Sequence, residues 1–309
     1  MTVPIVVMVE LILLAFSPLL LAGAAVASVG TRSSRPLRST ALVLAYAVVE
    51  LTILGRLFRD ADDWDAVLRH ILTRIYRVLH AILDVRLILE GGSTTREELA
   101  ESDGVVVLSR HCGPGDSLFI AWLLEVQYGL RLRVVLKSLL RLEPVVDLAG
   151  DRLPLCFVGH GGARSRRRVN RCAASMSAGD ALLLFPEGGN FSWLRWRRAV
   201  AALAAAGSYR GARRARRHTH TLPPRIGGAM AALTGAPKAD VLLLAHSGFA
   251  QDGRARPWWR LPIHRDLIVR TSLVPAAEVP RDHNGLSSWL DGVWSQVDVW
   301  VARHSTPIE

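Results

Sequence analysis

Lysine is nearly missing from this chain: Lys137 and Lys238 are the only two among its 38 basic residues. Almost all of the formal charge of +11 is therefore arginine, so an arginine does not mark a site by its presence alone. Cysteine is scarce as well. Cys112, Cys156 and Cys172 make an odd number with no Cys-x-x-Cys pair, which argues against a disulfide framework or a structural zinc site and suits a reducing, cytosol-facing environment. No Gly-x-Ser-x-Gly occurs. That absence counts against a serine hydrolase, although Gly159-His160-Gly161-Gly162 resembles an oxyanion stretch. Aromatic residues are 6% of the chain and do not interleave with the arginine run 210–217, which falls in an expected loop, so a nucleic-acid module has no support. There is no internal repeat.

What the chain does have is apolar length. Half its residues are hydrophobic and its mean hydropathy is +0.25 despite a pI near 10.8, a pairing that fits an anionic membrane surface. Residues 3–29 are almost wholly apolar and, at ~1.5 Å per helical residue, can cross a bilayer core. Ala25-Val26-Ala27 resembles a cleavage site, yet no Lys or Arg precedes the run and it exceeds the ~7–15 residues of a signal core, which favours a retained anchor. A second apolar stretch, 41–58, follows Arg32, Arg35 and Arg38. If both stretches spanned, that basic turn would lie opposite a cytoplasmic domain, against the positive-inside tendency. Either one spans or the two form a hairpin in one leaflet. The expected division is 1–62 for membrane anchoring and 63–309 for a globular catalytic domain facing the cytoplasm.

Within the second part, residues 66–83 read as an amphipathic helix. Apolar runs at 84–90, 104–109, 131–136, 153–158, 181–185, 240–246 and 266–274 read as strands, and 116–128, 163–178, 194–206, 223–235 and 286–303 as helices. Continuous apolar strands alternating with helices predict an α/β fold: a mainly parallel sheet covered by helices on both faces. In such sheets sites gather beyond the carboxyl ends of strands.

Two polar, glycine-rich turns stand at such ends. Behind Val105–Leu108 comes Ser109-Arg110-His111-Cys112-Gly113-Pro114-Gly115-Asp116, a base and an acid five positions apart. A sharp turn brings Asp116 back either to orient the imidazole, as a general base requires, or to cap the following helix. Behind Ala181–Leu184 comes Phe185-Pro186-Glu187-Gly188-Gly189-Asn190, where paired glycines admit a substrate oxygen to the backbone and Glu187 can accept from hydroxyls or hold an arginine. Cys112 reads as a buried structural thiol. His218-Thr219-His220 lacks the carboxylate that would favour a metal over a solvated loop, and no metal or organic cofactor is expected.

His111 and Asp116 resemble the HxxxxD signature of the glycerolipid acyltransferases, the lysophosphatidic acid acyltransferase superfamily, and Phe185 to Gly188 resembles its FPEG block. Leu222-Pro223-Pro224-Arg225-Ile226-Gly227-Gly228 is similar to its proline block in the LxPRxxG form of the lysocardiolipin and lysophosphatidic acid branch. The blocks come in the expected order, and the resemblance covers roughly residues 80–300. It implies transfer of a fatty acyl group from acyl-CoA or acyl carrier protein to the free hydroxyl of a lysophospholipid, 1-acyl-glycerol-3-phosphate by default and another head group, such as lysophosphatidylinositol or lysocardiolipin, as the alternative. A non-catalytic lipid-binding relative is the rival of another class. The resemblance further implies His111 as base held by Asp116, Glu187, Gly188 and Gly189 at the acceptor, and Pro224 and Arg225 in a substrate-binding block. Where the family has an arginine in GxxFIxR this chain has His160, with Arg164 and its neighbours to supply the charge for a phosphate.

Overall fold

The computed structural model describes residues 2–57, 63–113, 115–150, 152–159, 161–247 and 263–304. They divide into two compact units. The first takes the residues up to Arg86, together with Ser138–Leu155 and the residues just before the last strand. It opens with α1 (Thr2–Ala15), α2 (Ser17–Gly30), α3 (Arg35–Leu57) and α4 (Trp64–Leu83). The first apolar run is thus two helices, meeting at 62°. Pro18 lies in the opening turn of α2, where a missing N–H leaves no helical bond unmade. Arg35–Arg56 is long and apolar enough to cross a membrane, and the bent pair passes the same test if taken as one span. Glu10 and Glu50, the acids inside the apolar segments, are both buried, which withdraws them from the helix surfaces. Asp63 starts α4 by accepting the Ala66 amide at 2.9 Å.

Apart from the first residues of its first, fourth and seventh strands, the sheet belongs to the second unit. Along the chain come β1 (Val85–Leu89), α5 (Arg96–Ala100), β2 (Val105–Ser109), α6 (Asp116–Trp122) continued by a π turn, and β3 (Arg131–Lys137). The short α7 (Pro144–Ala149) lies in the first unit. Then follow β4 (Leu155–Val158), α8 (Gly162–Ala174), β5 (Asp180–Leu184), α9 (Trp193–Ala205), α10 (Tyr209–Ala215), α11 (Ile226–Gly235), β6 (Asp240–His246), β7 (Arg265–Val274) and α12 (His283–His304). Each apolar run expected as a strand is one.

The seven strands form a single sheet in the order β1-β7-β6-β2-β5-β3-β4. β2 pairs in parallel with both β5 and β6, and β5 with β3, while β7 runs antiparallel to β6. Every residue of β2 and β5 is buried, so both faces of the sheet are covered at its centre. On one face Val106, Leu108, Leu182, Leu184 and Val241 meet Val169 of α8, Ala229 and Leu233 of α11 and Trp294 of α12. Because β6, β2, β5 and β3 are parallel neighbours, their carboxyl ends share one edge. That edge presents His246, the His111 turn, the Glu187 turn and Lys137.

Two expectations change. The loop expected over 210–217 is instead largely α10, because Ala212 and Ala215, three apart, bury against Val200 of α9 and leave the arginines outward. The helix expected from residue 223 begins at Ile226, since Pro223 and Pro224 hold the preceding backbone extended.

Candidate active site

At the end of β2 the chain turns through Gly115, whose φ of +95° a side chain would resist, and enters α6 at Asp116. Asp116 is wholly buried, and its Oδ2 accepts the amides of Cys112 at 3.1 Å and Gly113 at 2.7 Å. The carboxylate thereby fixes the turn that carries His111, and no hydrogen bond between Asp116 and the imidazole is seen among the described contacts. His111 Nδ1 is buried without a hydrogen-bond partner among the described residues. Nε2 is therefore the nitrogen left to meet a substrate. The ring lies against Phe185 with centroids 4.4 Å apart.

Glu187 ties the site together. Fully buried, it accepts the His111 amide on Oε1 at 3.1 Å and the Leu222 amide on Oε2 at 2.7 Å. The Arg225 amide donates to the Pro186 carbonyl at 2.9 Å, and the Phe191 amide to the His111 carbonyl at 3.2 Å. One carboxylate thus joins three segments far apart in sequence. Burial pushes Glu187 up to about 7, opposed by the Arg110 guanidinium and the two amides.

Arg110, 1% exposed, donates to the carbonyls of His246 at 2.7 Å, Ser247 at 2.9 Å and His220 at 3.0 Å. His246 Nε2 returns a bond to the Arg110 carbonyl at 2.8 Å, and burial with the nearby guanidinium brings that imidazole down to about 3, so it is neutral. Asp298 of α12 accepts the amides of Thr219, His220 and Thr221, at 3.1, 2.8 and 2.7 Å. The His218–Thr221 segment is therefore pinned, and its histidines frame the loop.

The wall beside His111 is cationic. A side chain at Gly189 would come within 3.3 Å of Arg195 Nη1 and 3.8 Å of Lys137 Nζ. Burial first, then Lys137, Arg195 and Arg110, bring His111 down to about 4, leaving it neutral at pH 7. A neutral base beside two cations can take a proton from a hydroxyl while an anion sits next to it.

Residues 93–232, which hold all three blocks, match the acyltransferase family profile. The chain is therefore similar to acyltransferases over that stretch. Its fold is similar to the crystal structure of the 1-acyl-sn-glycerophosphate (LPA) acyltransferase PlsC from Thermotoga maritima, with a TM-score of 0.57 and 15% identity over 87% of this chain and 96% of that one. At that identity the likeness is one of fold. No curated protein matches the chain by sequence.

Within the matched stretch His111, Asp116, Glu187, Gly188, Gly189 and Arg225 converge. Gly188, at φ +71°, lies with its missing Cβ 3.2 Å from the Arg225 guanidinium. Pro224 stands just before it. Arg164 is exposed in the first turn of α8, and no contact among the described residues joins it to the His111 turn. Arg168 of the same run is committed to the Phe157 carbonyl at 2.9 Å. His160 and Pro114 lie outside the described residues. Sequence reading missed Arg110, Lys137, Arg195 and Asp298. Lys137 alone carried a signal, being one of two lysines and standing at the end of an expected strand.

Proposed function

We propose that the domain transfers a fatty acyl group from a thioester donor, acyl-CoA or acyl carrier protein, to the free hydroxyl of a lysophospholipid at a membrane surface. The observation that carries this reading is the neutral imidazole of His111 beside Lys137 and Arg195, since it pairs a proton acceptor with a place for the acceptor's phosphate. His111 Nε2 takes the hydroxyl proton as the oxygen attacks the thioester carbonyl. The oxyanion that forms collapses, the C–S bond breaks, and the imidazolium returns its proton to the departing thiolate. No metal and no covalent enzyme intermediate is needed.

Asp116 acts first as the fixative of the turn, holding the His111 backbone through two amides, and its buried charge steadies the imidazolium once that forms. Glu187 keeps the other two blocks in register with that turn. An anionic acceptor assists its own deprotonation: its phosphate offsets the two cations that hold His111 low, so the base strengthens when substrate binds. The default acceptor is 1-acyl-glycerol-3-phosphate. The apolar α1–α3 segments supply the membrane association such an acceptor calls for.

The test offers labelled acyl-CoA and acyl carrier protein, each with a panel of lysophospholipids, to purified wild type and His111→Ala. Transfer to one or more of them by wild type, lower by ~10²- to 10⁴-fold in the variant, is the expected outcome. Equal transfer by both proteins would remove His111 as base, and no transfer by wild type to any acceptor would remove the reading itself.

A further inference from the structure

The second unit contains a cavity of ≈ 730 Å³ lined by none of His111, Glu187, Lys137 or Arg195. Its walls come from α8, from α9 and α10, from the Pro223–Gly227 stretch and from the start of α12. Three arginines face it: Arg166, Arg214 and Arg225. They are not equivalent. Arg214 already has a carboxylate, Asp291 at 3.0 Å, whereas Arg166 and Arg225 have none among the described residues. Two uncompensated guanidinium groups converging on one concavity favour an anion, and the planar guanidinium is matched to phosphate.

The floor adds to this. Pro223 and Pro224 end where α11 begins, and the N-cap position, Arg225, makes no side-chain cap, so the opening turn through Ile226 and Gly227 meets the cavity with its amides unclaimed by a capping side chain. Ser208, Ser287 and Asp291 add two hydroxyls and a carboxylate to a lining that is otherwise largely apolar, with Leu203, Ala215, Ile226 and Met230. The volume exceeds what a phosphate alone fills and falls in the ~300–1,000 Å³ range of small-molecule sites. Arg225 connects the two places, since its guanidinium lies against Gly188 in the turn that also carries Glu187.

Building on the acyltransferase reading, we propose that this cavity binds a phosphate ester carried by one of the two substrates, its phosphate held by Arg166 and Arg225 and its hydroxyls by the Ser208, Ser287 and Asp291 wall. The phosphate comes either from a polyol head group on the acceptor or from the ribose phosphate of a coenzyme A donor. The Lys137–Arg195 wall then serves the group next to the reacting hydroxyl, and the cavity serves a second phosphate farther along a substrate.

The experiment uses the full chain as wild type, Arg166→Gln and Arg213→Gln. Arg213 is exposed on α10 and does not line the cavity, so its variant controls for loss of charge alone. Donor and acceptor KM are measured separately, and 3′,5′-ADP and glycerol 3-phosphate are titrated calorimetrically. The expected result is a rise of about tenfold or more in one KM for Arg166→Gln only, with kcat within about twofold and weaker binding of the matching probe. A donor effect with 3′,5′-ADP identifies the nucleotide, and an acceptor effect with glycerol phosphate identifies the head group. Both KM values within about twofold of those of Arg213→Gln would overturn the proposal while leaving the transfer reaction standing. Should wild type transfer nothing, the titrations decide alone: binding of a probe that depends on Arg166 sustains the cavity without the reaction, and binding that does not overturns it.

Discussion

The turns that leave β2 and β5 look alike in sequence, and their acids do different work. Each follows a five-residue strand buried throughout, each is rich in glycine and each contains one acid. Asp116 folds back on its own turn and accepts amides only three and four residues away. Glu187 reaches outward to amides 76 and 35 residues away. The first acid shapes the peptide that carries His111. The second holds that peptide to two others, and its loss is felt by the fold as well as by the site.

The widest break between the turns comes from His111, the proposed base. His111→Ala lowers transfer by ~10²- to 10⁴-fold and leaves the urea unfolding midpoint close to that of wild type, because the half-buried ring caps nothing and cross-links nothing. Glu187→Ala comes next and differs in kind. It leaves two buried amides unpaired and Arg110 buried without its counter-charge, a change that costs about 3–5 kcal/mol in equilibrium unfolding and takes activity with it. Glu187→Gln, which keeps an acceptor oxygen and removes the charge, falls between the alanine variant and wild type. A Glu187→Ala protein as stable as wild type would abolish the distinction drawn between the two acids.

Asp116→Asn has a smaller effect on the fold. The amide oxygen still accepts from Cys112 and Gly113, so stability falls by about 1 kcal/mol, while transfer falls further than folding does because the imidazolium loses a neighbouring charge. An Asp116→Asn enzyme with full activity would reduce Asp116 to a turn-former. The smallest effect is a displacement along the pH axis. In wild type the acid limb of kcat/KM for the free enzyme stands near pH 4, because burial and the cations keep the proton off His111. Lys137→Met removes one of those cations, so the limb moves up in pH and the acceptor KM rises.

The same depressed value fixes the sign of a stability effect. Between its ordinary value of 6.5 and about 4, the unfolded chain binds a proton that the folded His111 refuses. Its contribution to stability is therefore complete above pH 6.5 and declines as pH falls through that window. Glu187 runs the other way, since a value raised from 4.5 to about 7 stabilises most at low pH and loses its share as pH rises through 7. Comparing unfolding of wild type and Glu187→Gln from pH 5 to 8 isolates that opposing slope.

How far these turns were legible differs as their acids do. The His111–Asp116 spacing was readable because the contact is local, although the sequence left open whether Asp116 orients or caps, and in the structure its Oδ2 accepts from the turn amides of Cys112 and Gly113. Glu187 could be named as a polar group at a strand end, yet nothing near it in sequence pointed to Leu222 or to the His111 amide. Arg110 was passed over beside His111, since in a chain so rich in arginine one more carries little information, and only its burial beneath three carbonyls sets it apart. The arginine run was read as a loop because its charge outweighed two alanines whose value depends on meeting α9.

Sequence alone determined the strands, the parallel sheet they imply and the two turns, since apolar runs and glycine act over a few residues and need no distant partner. Tertiary structure alone decided the wall and the clasp. Lys137, Arg195, Arg110 and Asp298 lie on four different segments, and only the parallel order β6-β2-β5-β3 with α12 behind it brings their charges to one edge. Electrostatic and hydrogen-bonding roles depend on distance and burial in space, which residue spacing along the chain does not carry.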